Sequence, residues 1–275
     1  DGAKEAYDSA EPLYRQERAN LGLANLLQSR GDLLRRLGDL DGAKKAYDSA
    51  EPLYKQERAN LDLAHLLLSR GDLLRLLGDL DGAKAAYDSA EPLYRQERHN
   101  LSLAYLLLSR GNLLSQLNDV DGAKKAYNIA EPLFRQERAN VGLANLLRSR
   151  GCLLSRLGDV NRAKEAFDSA EPLYRQERSN LGLANLLRSR GDLQRIHGQP
   201  EQAYTHYRTA EKLYREVREP IGLILSLAEL YECCMRLDRL SEADSIQKEA
   251  REMLELDGIP SNVKGYVLRK LLKEY

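Results

Sequence analysis

The chain has little to spare for catalysis, for membranes or for nucleic acid. Its longest apolar runs are only a few residues, so no segment is fit to span a bilayer. Lys+Arg and Asp+Glu both number 42, which leaves no net charge and argues against a phosphate backbone as the main partner. Three cysteines, Cys152, Cys233 and Cys234, are too few and too unevenly placed for a disulfide framework, and they suit a reducing, cytoplasmic compartment. Neither HExxH nor CxxC occurs, and no glycine cluster is built for phosphate. The four histidines, His65, His99, His197 and His206, show no metal-ligand spacing. These absences lead to an expectation of no enzyme activity, no cofactor and no metal. The chain starts at Asp1 without a signal-like segment, which reads as a piece of a longer protein.

What is present is repetition. "DGAKEAYDSAEPLYRQERANLGLANLL" opens the chain and recurs, little changed, at 41, 81, 121 and 161, then in decayed form at 201 and 241. Each unit reads as two helices. In the first, over 20–38, Leu23, Leu26, Leu27, Leu33, Leu34 and Leu37 recur in steps that put them on one face; Asn20 is the expected N-cap and Gly38 the stop. In the second, over 41–58, Ala43, Ala46, Tyr47, Ala50, Leu53 and Tyr54 share a face. Pro12, Pro52, Pro92, Pro132 and Pro172 fall inside the second helices. They read as a regular bend in each repeat, the alternative being a break into two pieces. Strand signals are absent.

Leu27, Gly31, Leu34, Gly38-Asp39, Ala43, Tyr47 and Ala50 resemble the tetratricopeptide repeat, and Leu21-Gly22 resembles the opening of its 40-residue variant, found in polarity adaptors and bacterial regulators. The resemblance implies an all-α, right-handed α-solenoid of stacked antiparallel helix pairs. In that register a single helix at 2–18 leads pairs at 19–58, 59–98, 99–138, 139–178, 179–218 and 219–258, and a final helix within 259–275 caps the last pair. The missing cap at the first residue implies further repeats or a domain before it. One departure stands out: Arg30, Arg70 and Arg110 occupy a site where the family usually has an apolar residue. The arginine is expected to pack its stem between pairs and to meet a carboxylate of an adjacent helix.

The phrase "SRGD" at 29–32, 69–72 and 189–192 spells Arg-Gly-Asp, but mid-helix its arginine and aspartate diverge by about 200°, which rules against an adhesion signal. Gly31 is expected to let neighbouring helices approach. Cys234 reads as a core residue and Cys233 as a partly buried one.

Most positions are copied between repeats, and a few vary. Along the first helices these read Asn25, His65, Tyr105, Asn145, Asn185; Gln28, Leu68, Leu108, Arg148, Arg188; Asp32, Asp72, Asn112, Cys152, Asp192; Arg35, Arg75, Ser115, Ser155, Arg195; and Arg36, Leu76, Gln116, Arg156, Ile196. Their steps form one exposed stripe. The resemblance implies that this stripe lines a concave, ligand-binding groove. Tuning for a ligand is the favoured reading, against drift at solvent positions. His65, Leu68, Leu76, Tyr105 and Leu108 form an apolar and aromatic middle; Arg148, Arg156, Arg188, Arg195 and Arg236 form a basic end suited to carboxylates. Asp32, Asp72 and Asp192 neutralise part of that field. The expected function is a scaffold that binds a peptide or helical segment with an apolar centre and an acidic end. The alternatives are a self-assembling array, associating through its repeat ends, and the sensor arm of a larger signalling protein.

Overall fold

A computed structural model describes residues 2–256 and 259–272. It divides into two compact units, residues 1–133 and 134–275. The first holds α1 (Gly2–Gln16), α2 (Asn20–Arg36), α3 (Leu40–Gln56), α4 (Asn60–Leu77), α5 (Leu80–Gln96), α6 (Asn100–Gln116) and most of α7 (Val120–Gln136). The second holds the end of α7, then α8 (Asn140–Arg156), α9 (Val160–Gln176), α10 (Asn180–Ile196), α11 (Pro200–Glu216), α12 (Pro220–Arg236), α13 (Leu240–Leu254) and α14 (Ser261–Leu271). Among the described residues there is no strand. Residues 257–258 and 273–275, expected at the end of the last pair and of the cap, lie outside the described residues.

Two kinds of turn alternate. Between a first and a second helix, Gly38 and Gly78 take φ of 83° and 86°. Gly38 N–H then donates to Arg35 O and Asp39 N–H to Leu34 O, which closes the carbonyls that the helix end leaves open. Asp39 and Asp79 cap the helices that follow by accepting from Gly42 and Gly82 N–H. Between a second and a first helix the same left-handed residue is an arginine: Arg18, Arg58, Arg98, Arg138, Arg178 and Arg218 all have φ between 50° and 54°. That geometry moves the cap one residue back from its expected place. Ala19 is the N-cap, accepting from Leu23 N–H, and Asn20 is already helical. The Asn20 amide instead donates to Glu57 Oε1 at 3.0 Å, the next turn of its kind.

The proline helices are continuous. α3 runs through Pro52 to Gln56, so the break into two pieces does not occur. Pro52 sits on the solvent side, where the carbonyl it leaves unbonded can meet water.

Packing within a pair is set by glycine against an aromatic ring. A β-carbon on Gly31 would stand 2.5 Å from Tyr47, and one on Gly71 would stand 2.4 Å from Tyr87. Only a bare α-carbon permits this approach. The rings are wholly buried, as are Tyr54, Tyr94, Tyr174, Tyr207 and Tyr214, and large apolar rings dominate such cores. Between pairs, the repeated arginine does what its register implies. Arg30 meets Glu11 and Asp8, each at 3.0 Å; Arg110 meets Glu91 at 2.6 Å and Asp88 at 3.0 Å; Arg190 meets Glu171 at 2.5 Å and Asp168 at 2.6 Å. Arg70 pairs likewise with Glu51 and Asp48.

At the C-terminus α14 lies chiefly on α12. Lys270 is buried between Glu229, at 3.2 Å, and Glu232, and Tyr266 donates to Glu229. With α13 and α14 both covering α12, Cys233 is as fully buried as Cys234 rather than partly so. Burial pushes their thiols up to about 12 and about 11.

Candidate binding face

The stripe of variable first-helix residues is not a freely exposed surface. Of the residues expected there, Asn25, Arg36, Gln116, Arg156 and Ile196 are exposed, Leu108, Ser115 and Ser155 are buried, and the others are half-buried. The apolar centre therefore loses Leu108 to the core. The cause is a set of second-helix aromatics that reach through each pair and support the stripe from behind.

In the first unit the Tyr54 hydroxyl donates to Asn25 Oδ1 and lies equally close, 2.7 Å, to Gln28 Oε1. Tyr47 donates to Asp32 at 2.5 Å, Tyr87 to Asp72 at 2.7 Å and Tyr127 to Asn112 at 2.9 Å. Burial, then the neighbouring aspartate, pushes the hydroxyls of Tyr47 and Tyr87 well above the usual range. Arg35 and Arg75 interact with the same two hydroxyls, so each tyrosine joins an aspartate to an arginine one turn on. His65 breaks the pattern. Its Nε2 turns to Ser102 Oγ at 3.0 Å, and its ring packs 5.4 Å from that of Tyr94 and 5.6 Å from that of His99. The buried Tyr94 hydroxyl makes no hydrogen bond to its stripe residue His65, and Ser102 lies beside it. Burial first, then His99, lowers the His65 pKa, with Asp62 opposing. Leu68 is half-buried, and so is Tyr105, whose hydroxyl burial pushes up.

In the second unit Tyr174 donates to Asn145 at 2.7 Å, Tyr214 to Asn185 at 2.8 Å and Tyr207 to Asp192 at 2.7 Å. The basic end is smaller than the sequence implies. Arg195 pairs with Glu229 at 3.0 Å and lies 3.8 Å from Glu232, and Arg236 meets Glu232 at 2.7 Å. Burial opposes ionisation of Glu232, but Lys270, Arg195 and Arg236 together hold it below the ordinary carboxylate range. Arg148 and Arg188 remain. Neither forms an ion pair among the described residues, and the buried Nε of each has no hydrogen-bond partner. Arg148 interacts with the Tyr174 hydroxyl and Arg188 with that of Tyr214. Burial raises the Asp192 pKa, against Arg188.

The supporting tyrosines were not among the site residues the sequence suggested. Their signal is the reverse of variation: Tyr54, Tyr94, Tyr174 and Tyr214 repeat at one register position, each 29 residues after the stripe residue it touches.

No family model matches the chain, and no curated protein matches it. Solved structures do. The chain is similar to a tetratricopeptide repeat protein from Parabacteroides merdae, with 22% identity and a TM-score of 0.64, over 98% of this chain and 93% of that one. It is similar to a Rap protein complexed with Competence and Sporulation Factor, with 11% identity and a TM-score of 0.67, over 91% and 80%. It is also similar to NprR in complex with its cognate peptide NprX, with 15% identity and a TM-score of 0.67, over 98% and 81%. At these identities the likeness establishes the fold: an all-α solenoid of the tetratricopeptide type. Among the described residues no helix is long and apolar enough to cross a membrane.

Proposed function

We propose that the chain is a binding scaffold whose first-helix faces hold a peptide or helical segment of a partner protein, with an apolar stretch and an acidic end. One observation carries the reading. The repeats copy most of their length and vary most along the first-helix stripe, more than at second-helix sites such as Lys45, Ala85, Lys125 and Glu165, and several of the stripe side chains are held by repeated second-helix tyrosines. A polar side chain fixed from behind has already lost rotamer freedom, so less is lost when a ligand binds it. The Rap protein, which shares the fold, is described as complexed with Competence and Sporulation Factor, and NprR, which shares it too, as in complex with its cognate peptide NprX. The three free thiols suit work in a reducing compartment.

The test is selection of binding peptides from a displayed random library, followed by calorimetry on variants. Asn185→Ala and Arg188→Gln weaken the selected peptides, while Lys44→Glu and Lys125→Glu on the second helices leave them unchanged. Equal loss from both sets, or loss only from the second, contradicts the proposal.

A further inference from the structure

Arg148 and Arg188 stand at one register position of α8 and α10, where the first unit has Gln28, Leu68 and Leu108. One turn further on, the register carries an acid in four repeats: Asp32, Asp72, Asp192 and Glu232. In the repeat that contains Arg148 that position is Cys152. The thiol lies 3.4 Å from Ser189 Oγ, beside Arg188 on the neighbouring first helix. Both arginines act on the Tyr214 hydroxyl, so their charges share one neighbourhood. Two guanidinium groups thus act on one hydroxyl where one repeat has given up its carboxylate; Asp192 is the acid that acts most on Arg188, and Glu219 acts on the shared Tyr214 hydroxyl. A half-buried cation with an unsatisfied buried N–H is unfavourable until an anion reaches it. Guanidinium favours a planar carboxylate that can take two parallel N–H bonds.

We infer that Arg148 and Arg188, with Cys152 beside them, form a subsite for a single carboxylate side chain of the bound segment, which fills the charge position that an acid fills in four other repeats. This rests on the first-helix face being the binding face. It adds where the acidic residue of the ligand sits, and why there: Cys152 keeps the position open.

The experiment is a titration of the whole chain with glutarate, and with uncharged glutaramide as control, followed by NMR of the arginine Nε–H groups. The expected result is that Arg148 and Arg188 shift together with glutarate, that glutaramide moves neither, and that the paired Arg30 and Arg190 stay in place. Cys152→Asp supplies the acid internally and weakens glutarate by roughly tenfold or more, about 1.4 kcal/mol per decade. Lys125→Glu, on the exposed side of a second helix, leaves glutarate binding unchanged, and circular dichroism of Cys152→Asp reports on folding. The inference is overturned if glutarate shifts no arginine, if it shifts paired and unpaired arginines alike, or if Cys152→Asp binds glutarate as the native chain does. Shifts confined to the pair in a chain for which no peptide is found uphold the subsite and sink the scaffold reading. Peptides that bind the face of a chain whose arginines ignore glutarate do the reverse.

Discussion

Arg30 Nη1 donates to Glu11 Oε2 at 3.0 Å, joining the first helix of one pair to the helix before it. The same residue's Nη2 reaches Asp8, and Arg70, Arg110 and Arg190 repeat the arrangement. The arginine of the Arg-Gly-Asp phrase is therefore an inter-pair clamp, its glycine a seat for Tyr47, and its aspartate an acceptor for the same tyrosine. One tripeptide divides among three contacts, none of which leaves it available as a surface signal.

The clamp is partly exposed, so its contribution lies between that of a surface pair and a buried one. Arg110→Ala leaves Glu91 and Asp88 without their partner and lowers stability by about 1–2 kcal/mol. Urea unfolding followed by circular dichroism measures it. No change in the midpoint would show that the pair is incidental.

Close packing at the glycine predicts a larger effect from a smaller change. Gly71→Ala drives a methyl group into the ring of Tyr87, where a β-carbon would lie 2.4 Å away. Although alanine favours helix by about 1 kcal/mol, overpacking reverses the sign and costs about 1–3 kcal/mol net. Adding Tyr87→Leu to Gly71→Ala recovers part of the loss, and a double-mutant cycle on thermal melts measures the coupling.

The tyrosine hydroxyls separate the repeats. Tyr174→Phe leaves the Asn145 carbonyl without its donor and costs about 1 kcal/mol. Tyr94→Phe removes a buried hydroxyl that makes no hydrogen bond to its stripe residue His65, and it costs less than Tyr174→Phe. Equal losses in the two variants would contradict the role given to His65.

Acidification singles out the same cluster. The pKa values of His65 and His206 are lowered in the folded chain, so the unfolded chain binds more protons near pH 6.5. Stability therefore falls as pH drops from above the ordinary histidine value, about 6.5, to below it. His65→Asn, which restores the residue found in three other repeats, removes its share of that fall. Melting temperatures at about pH 7.5 and about pH 5.5 give the comparison. A steeper fall in His65→Asn would mean that the sign is wrong.

Much of this was readable in the sequence because the scaffold is copied. Leucine spacing marks the first helices, the alanine and tyrosine face marks the second, and Gly31 and Arg30 repeat often enough to imply contacts. What escaped notice depends on groups distant in sequence or on unusual backbone. Nothing in arginine announces a left-handed residue, so Arg18 and its repeats hid the true cap at Ala19, and Asn20 took its place in the reading. Stripe residues are less exposed than their register implies where a tyrosine comes from 29 residues away, as Tyr174 does to the half-buried Asn145. Glu229 and Glu232 lie in a repeat whose sequence has diverged from the others, and they pair with Arg195 and Arg236.

The central claim is that ligands lie on the first helices. A photo-reactive benzoylphenylalanine at Asn145 of α8, compared with one at Glu165 of α9, tests it with a library-selected peptide. The account predicts that the peptide is captured from position 145 and not from position 165. Capture from 165 alone, or equally from both, would contradict it.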